Sequence, residues 1–366
     1  MQRQKEYYLK QSVAVFTYFF TLCFIFTAGF MLLRFPEDAG RGVTNGIDLC
    51  IETLIPSMFP FMFLSTFIIN SGIINRLERT VGPLTQKVFR LPGICAAVIA
   101  FSMTGGLPIG PKMTSDLYSK GYITALQGRR MLFFCMNPGP AFVISAVGHY
   151  MLGSEKIGVI LYTSVVLSSL LIGFFSARVC EDCFNITVNA DTAKVKAELH
   201  TALQQSVVQS CRSMLTVCAW VILFSCFIEL VAILPLTDGT KAFLYATLEM
   251  TNGCKVLSAS FPVPLLAGII GFGGICAHMQ VMSSVLKLRL KVKYFICARV
   301  LNGGLSVLIS MFLLELFPVA AETFSMGTVP EKVENVFSLP ICISVMVMCF
   351  LLLLGDNFRL NRVSDK

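Results

Sequence analysis

Charged residues are scarce in this 366-residue chain. Asp, Glu, Lys and Arg make up 14% of the sequence and hydrophobic residues 55%, whereas an ordinary soluble domain has roughly a quarter charged residues. The polar intervals are too short to bury a core of their own, which excludes a large soluble catalytic domain. Nine stretches of at least 15 residues lack charge, and most reach the roughly 20 residues that a helix needs to cross a bilayer. The sequence therefore predicts an integral membrane protein.

Several function-bearing patterns are also missing. The net charge is +8, but the basic residues are scattered over loops and termini, so no nucleic-acid-binding stripe forms. The sequence has no Walker motif, nucleophile elbow or paired HExxH ligands, and we expect neither an enzyme nor a bound metal or cofactor. Cys180 and Cys183 form a C-x-x-C without a second pair for zinc, which we interpret as coincidence. Most of the 14 cysteines lie in apolar segments and predict no disulfide framework.

The uncharged stretches predict an all-α, polytopic fold with about eight transmembrane helices plus re-entrant or broken helices. Residues 11–33 are interpreted as a retained anchor helix because they lack a clear cleavage site. Residues 91–111 contain four glycines and three prolines, so they cannot form one continuous helix. We expect a re-entrant hairpin over 91–118.

Two halves of the chain carry similar features in the same order. The corresponding positions are Gly105-Gly106 and Gly273-Gly274, Lys112 and His278, and Asn137 and Asn302, at offsets of 168, 166 and 165 residues. Broken helices at matching places are typical of secondary transporters built from repeats. The expected divisions are an anchor (1–44), a first repeat (45–180), a polar loop (181–204), a second repeat (205–316) and a C-terminal loop, helix and tail (317–366).

The orientation of these repeats in the membrane stays open. A hairpin over 91–118 leaves an odd number of crossings in the first half, so the second half is expected to be inverted. Basic residues near the start and at 76–90 favour the cytoplasmic side. The basic run at 287–293 would then lie outside, against the positive-inside tendency.

The segment 104–124 carries the strongest candidate site. Its glycine break, Gly105 and Gly106, precedes a new helix that contains Lys112, Ser115 and Asp116. A half-helix that begins inside the protein directs its free N–H groups at a cavity, which suits a carboxylate or phosphate. A lysine near the bilayer centre costs about 2.5–3.5 kcal/mol and normally signals function. The alternatives are a pair between Lys112 and Asp116, or snorkelling to the interface.

The second half offers candidates at matching places. His278 could carry a proton and Gln280 offers donors and acceptors, although a lone histidine is often only a packing residue. Glu249 and Asn252 precede Gly253, which could close a half-helix against the same cavity or serve as a plain C-cap.

Asn137 and Asn302 are each followed by helix breakers. An unwound helix frees carbonyls that can bind a cation or the substrate. The alternative is a structural kink in which the asparagine caps the freed groups.

These segments together resemble a known family. The stretches GGLPIGPKMTSDLYSKGYIT, RRMLFFCMNPGPAFVISAVG, LEMTNG and FGGICAHMQV are similar to the YlbJ-like sporulation integral membrane proteins of the nucleoside-recognition (gate) superfamily. That superfamily is related in architecture to concentrative nucleoside transporters. The resemblance covers about residues 45–310. It implies a multi-pass protein in the cell membrane of a spore-former, a role in late spore and cortex development, sporulation membrane proteins as partners, and transport of dipicolinate.

The residues fit more than one ligand. A planar dianion such as dipicolinate needs opposed positive features, which Lys112 and His278 would provide from two half-helix starts. A neutral nucleoside would instead use Asn137, Gln280, Glu249 and Asn252. A third reading is a non-transporting scaffold that recruits sporulation partners through loops such as 178–203. The sequence alone does not decide between these readings.

Overall fold

A computed structural model describes residues 18–179 apart from 20 and 24, residues 198–258 and residues 261–318. These residues form helices joined by turns and irregular segments, and no strand occurs among them. Four helices in this part of the chain are long and apolar enough to cross a membrane, at Glu155–Val179, Leu199–Ala232, Val263–Ser284 and Val292–Leu316. The predicted all-α, membrane-spanning class is therefore confirmed.

The first half consists of short helices followed by one long one. The elements are α1 (Pro36–Leu49), a π-helical segment (Cys50–Leu54), α2 (Ile55–Asn70), α3 (Ile74–Phe89), α4 (Cys95–Thr104), α5 (Ile109–Ser119), α6 (Ala125–Met131), a second π-helical segment (Ala141–Met151) and α7 (Glu155–Val179).

The second half begins with the longest described helix. Its elements are α8 (Leu199–Ala232), α9 (Asp238–Leu248), α10 (Met250–Leu257), α11 (Val263–Phe272), α12 (Gly274–Ser284), a 3₁₀ turn (Leu286–Leu288) and α13 (Val292–Leu316).

Helices α4 and α5 fold back on each other as a hairpin, as the glycine and proline content of 91–111 predicts. Gly106 adopts φ +94° in the turn, a conformation that glycine reaches without steric cost. Gly110 at the start of α5 faces Ser102 of α4, because a Cβ built on it would lie 2.7 Å from the Ser102 Cβ. The broken character of this segment is confirmed.

The matching break in the second half separates α11 from α12. Gly273 and Gly274 have φ values of +92° and +75°, in the left-handed region that other residues rarely adopt. Two consecutive residues in this region end α11 and start α12. The glycine pair is therefore a conformational requirement of the break.

The chain also unwinds after α6. Residues 136–139 have no regular structure before the second π-helical segment begins. Pro138 and Pro140 lack backbone donors, and Gly139 between them weakens any helix, so the ladder of i to i+4 hydrogen bonds cannot continue. The predicted unwinding after Asn137 is confirmed.

Helix α8 lies at the centre of the packing and contacts α1, α2 and α12. Glycines allow the closest approach: a Cβ on Gly42 would lie 2.7 Å from the Cα of Cys226, and one on Gly46 would lie 2.8 Å from the Cα of Ile222. Small residues four apart let helix backbones approach closely in membranes. Helix α13 packs on α11 and α7, so the second break is held against the first half.

Some predicted segments fall outside the described residues. Of the anchor at 11–33, residues 18–33 apart from 20 and 24 are described and helical. The C-terminal span at 335–355, most of the loop at 181–204 and the C-x-x-C at Cys180 and Cys183 lie outside the described ranges.

Candidate functional site

A polar pocket lies between α5, α8 and the end of α12. Its volume is about 260 Å³, slightly below the roughly 300–1,000 Å³ of drug-sized ligand sites. Its lining side chains are polar without exception: Lys112, Ser115, Asp116, Gln209, Arg212, Ser213, Thr216, Ser283 and Ser284. Because charged residues are scarce in this chain, three charged groups on one pocket mark it as the candidate site.

Lys112 and Asp116 form an ion pair on α5. The Lys112 Nζ lies 2.7 Å from Oδ2 of Asp116 and 3.0 Å from Oγ1 of Thr66 on α2. The lysine side chain is 8% exposed and the aspartate side chain 28%. Spacing of four residues places both groups on one helix face. The pairing alternative is therefore confirmed, and the same pair lines the pocket.

A second set of hydrogen bonds lies near this pair and joins Lys120 to α2 and α8. Lys120 Nζ lies 2.7 Å from Oδ1 of Asn70, and Asn70 Nδ2 donates to Ser206 Oγ at 2.9 Å and to Gln209 Oε1 at 3.3 Å. Burial lowers the pKa of Lys120, beyond the end of α5; the charge of Asp116 opposes this shift and that of Lys112 adds to it. These bonds hold α2, α5 and α8 together beside the pocket.

Arg212 supplies the free positive charge of the pocket. It is exposed on α8, and its guanidinium makes no hydrogen bond or ion pair with another side chain in the described part of the chain. Lys112 and Arg212 contribute +2 and Asp116 contributes −1, so the pocket carries a net charge of +1. A guanidinium can bind a carboxylate through two parallel hydrogen bonds. The arrangement suits a small anion.

The glycine breaks of the two halves lie close together, beside the unwound segment. A Cβ built on Gly273 would lie 3.8 Å from Leu107 Cδ2 in the turn of the α4–α5 hairpin and 3.6 Å from Met136 Cε. One built on Gly106 would lie 3.7 Å from the backbone nitrogen of Gly139. The structure thus places Gly273 against Leu107, the residue after Gly106. None of Gly105, Gly106, Gly273 and Gly274 lines the pocket.

Asn137 and Asn302 meet at one serine of α7. Oγ of Ser169 hydrogen-bonds Oδ1 of Asn137 and lies 3.2 Å from Oδ1 of Asn302. Their amide nitrogens donate to the carbonyl oxygens of Phe134, at 3.0 Å, and Gly271, at 2.9 Å. Both asparagines are fully buried. Asn137 thus caps a carbonyl beside its own break, which is the structural alternative considered for it. The break expected after Asn302 is wrong, because α13 continues through Gly303 and Gly304, and Asn302 instead bonds the end of α11.

Comparisons with known proteins identify part of the chain. Residues 51–180 match a family model described as Gate, nucleoside recognition. This segment of the chain is therefore similar to the Gate family, and it is called the Gate-like segment below. The sporulation integral membrane protein YlbJ of Bacillus subtilis (strain 168) is 25% identical over 323 residues, which covers 77% of this chain and 79% of the relative. No solved structure matches the chain.

These matches confirm the resemblance to YlbJ-like proteins, and with the apolar helices they establish a multi-pass membrane protein. The Gate-like segment supplies Lys112, Ser115 and Asp116, whereas α8 and α12 lie beyond residue 180. The pocket is therefore built jointly by the Gate-like segment and the second half of the chain.

His278 lies beyond the Gate-like segment and does not line the pocket. It is fully buried, with its ring edge-on to Phe272 and Phe295 at centroid distances of 4.7 and 5.4 Å. Its Nε2 is 2.9 Å from the Phe272 carbonyl oxygen. The structure therefore does not bring His278 together with Lys112.

Gln280 is also buried and lies near the pocket without lining it. Its side-chain nitrogen donates to the Cys276 sulfur at 3.4 Å. Its backbone carbonyl oxygen accepts hydrogen bonds from the hydroxyls of Ser283 and Ser284, at 2.7 and 2.9 Å. The backbone at Gln280 thereby orients two serines that do line the pocket.

Glu249 separates α9 from α10 and caps the second of these helices. Its carboxylate accepts from the backbone nitrogens of Thr251 and Asn252, at 2.9 and 2.8 Å, and from Nδ2 of Asn252 at 3.1 Å. The expectation that Asn252 and Gly253 end a helix is wrong, because both lie inside α10. Glu249 accepts hydrogen bonds from backbone N–H groups that the first turn of a helix leaves free, so it marks the start of α10.

Replacing Glu249 by alanine is expected to lower the free energy of unfolding by about 2 kcal/mol, since N-cap losses and bonds to charged groups fall in that range. Thermal unfolding of the purified protein measures the loss. Glu249→Gln keeps one good acceptor and is expected to lose less. An alanine variant as stable as the parent would contradict the capping role.

Sequence reasoning missed every pocket residue outside α5. Four of these residues lie along one face of α8: Gln209, Arg212, Ser213 and Thr216. The sequence signal for them was the lone charge of Arg212 next to the apolar run 213–228. Arg299, just before the uncharged run 300–314, is likewise a lone charge inside a long helix and is fully buried.

Within the described ranges, no three His, Cys, Asp or Glu side chains gather as a metal site.

Proposed function

We propose that this protein is a membrane transporter of a small organic anion and that the pocket between α5, α8 and α12 binds the substrate. The observation that carries this proposal is a pocket of about 260 Å³ with net charge +1 in a chain with few charges. Arg212 offers a free guanidinium, and the hydroxyls around it offer further hydrogen bonds. The substrate is moved without chemical change.

The anion we favour is dipicolinate, handled during spore formation. The relative YlbJ is named a sporulation integral membrane protein, and the family resemblance implies dipicolinate transport. Dipicolinate is a single ring with two carboxylates, so one carboxylate can face Arg212 while the other faces the amino group of Lys112. Its small size suits a pocket below the usual range of drug-sized sites.

We further propose two inverted repeats, about eight spans in all, in an architecture like that of concentrative nucleoside transporters. Two features of the fold support repeats: glycine breaks at corresponding places approach each other, and Asn137 and Asn302 meet at Ser169. In this view Gly105, Gly106, Gly273 and Gly274 form the moving junction. The conformation of this junction is stabilised by His278, Glu249, Asn252, Asn137 and Asn302. In this proposal these residues approach the substrate only in another state of the transport cycle.

A nucleoside is the alternative substrate. The family model matched by residues 51–180 is described as nucleoside recognition, and Gln209, Asp116 and the serines of the pocket offer donors and acceptors for a neutral ligand. The unpaired Arg212 has no evident use in that case.

Uptake into proteoliposomes tests the proposal. Purified protein is offered labelled dipicolinate and labelled uridine separately, with and without a pH gradient. Saturable dipicolinate uptake that other pyridine dicarboxylates inhibit, and uridine does not, is the expected result. Uptake of uridine alone would favour the nucleoside reading, and uptake of neither would favour a sporulation scaffold that acts through its partners.

Substituting Arg212 by glutamine is expected to weaken dipicolinate binding about 10- to 100-fold. A hydrogen bond to a charged group contributes about 1.5–3 kcal/mol, and each 1.4 kcal/mol is about a factor of ten in affinity. Lys156→Gln is the matched control, because Lys156 is exposed at the start of α7, outside the pocket. Equal affinity of the Arg212 variant and its control would remove the pocket from the proposal.

A further inference from the structure

Arg299 of α13 is buried completely, yet its guanidinium bonds to backbone oxygens alone. Nε donates to the carbonyl oxygen of Phe272 at 3.2 Å, Nη1 donates to that of Met136 at 2.9 Å, and Nη2 donates to that of Gly271. The residue is 0% exposed. Within the described ranges, no aspartate or glutamate pairs with it. A buried charge without a counter-ion needs another source of negative potential.

That source is the pair of broken helices. Gly271 and Phe272 are the last residues of α11, where unpaired carbonyls give a helix end a partial negative charge. Met136 begins the stretch that has no regular structure after α6. Carbonyls released by a break in each half therefore converge on one positive group.

In transporters with broken helices, carbonyls of this origin coordinate the coupling cation. We propose that Arg299 is a tethered cation that takes the place of such an ion and joins the two breaks through the backbone. This inference rests on the proposed transport function for its meaning, but the stabilising role of Arg299 can be tested without any substrate. Because Arg299 occupies the place of the ion, transport does not require sodium or potassium at this junction.

The position of Arg299 explains why a guanidinium is used. Its guanidinium donates to three carbonyls in two segments at once. Asn302 and His278 also bond two of these carbonyls, those of Gly271 and Phe272. Because its tether is α13, the charge cannot diffuse away when the breaks separate. Lysine has the charge but lacks the planar fork.

The first arm of the test measures thermal stability in detergent. Arg299→Ala is expected to melt below the parent, and millimolar guanidinium chloride is expected to restore part of the loss, whereas choline chloride is not. Arg212→Ala is the control, since Arg212 bonds no other side chain and its variant offers no vacated carbonyls. Absence of any guanidinium effect specific to Arg299→Ala would overturn the inference.

A second pair of variants applies if the alanine protein fails to fold. Arg299→Lys keeps the charge and Arg299→Met removes it at similar length. The lysine variant is expected to be the more stable of the two. Equal melting temperatures would mean that the charge has no role at the junction, and would overturn the inference.

The second arm measures uptake of labelled dipicolinate by the parent protein with sodium and potassium replaced by choline. Unchanged uptake is expected, and a fall to background would overturn the inference. If dipicolinate is not taken up under any condition, the proposed function fails, while the melting temperatures still decide the role of Arg299. The two failures are thus distinguishable.

Discussion

Replacing Gly110 by alanine is expected to destabilise the protein by about 3 kcal/mol or more, at or beyond the upper end of the range for overpacking. A Cβ at this position would lie 1.9 Å from the Cys135 carbonyl oxygen. The obstacle is backbone, so no side-chain rotation relieves it, and either α5 or the segment after α6 must move. Because a typical domain is stable by only about 5–15 kcal/mol, this loss removes a large part of the stability and is expected to lower the yield of folded protein. The yield of monodisperse protein and its melting temperature measure the effect.

Gly304→Ala is the matched control for Gly110→Ala. Gly304 also lies in a helix, α13, but nothing comes within 4 Å of a Cβ built there. Alanine favours a helix over glycine by up to about 1 kcal/mol, so this variant is expected to be as stable as the parent or more so. If both variants behaved alike, the close contact between α5 and Cys135 would not be a determinant of the fold.

Replacing Lys112 by methionine is expected to weaken dipicolinate binding by about a hundredfold. The change removes a cation from the pocket and leaves the Asp116 carboxylate without its partner, so the net charge of the pocket falls from +1 to 0. Losing a charge-assisted hydrogen bond costs about 1.5–3 kcal/mol, and repulsion by the released carboxylate adds to this. Equilibrium binding of labelled dipicolinate to the detergent-solubilised protein measures the loss.

A double variant separates the two roles of Lys112. Breaking a buried ion pair on one side is usually more destabilising than removing both charges, so Lys112→Met combined with Asp116→Asn should recover stability relative to Lys112→Met. Binding should remain weak if the lysine contacts the anion. Recovery of full affinity in the double variant would mean that Lys112 only neutralises Asp116.

Local features of the fold were predictable because their causes are local. Gly and Pro at 91–111 and at 137–140 exclude continuous helix whatever surrounds them, and both segments are indeed broken. The run from Lys112 to Asp116 also predicted one wall of the pocket, since residues four apart share a face. Glu249 was found as well, although its capping of α10 was mistaken for a helix end.

The opposite wall of the pocket depends on tertiary structure. Which residues of α8 face α5 is set by the rotation and crossing of two helices about 100 residues apart in the chain, and no local pattern encodes that rotation. The repeat aligned Lys112 with His278, but the short helix α12 presents Ser283 and Ser284 to the pocket instead. Arg299 escaped notice because its acceptors are backbone carbonyls, which carry no sequence signal.

The length of α8 has a consequence for the depth of the pocket. Its 34 residues span about 51 Å at 1.5 Å per residue, roughly 20 Å more than the hydrocarbon thickness. Residues 215–232 are its apolar part apart from Glu229, so Gln209, Arg212, Ser213 and Thr216 lie within about 9 Å of the end of that part, near the bilayer surface. The pocket therefore faces one aqueous compartment from the headgroup region, and ligand added to the two faces of an oriented membrane should reach it unequally.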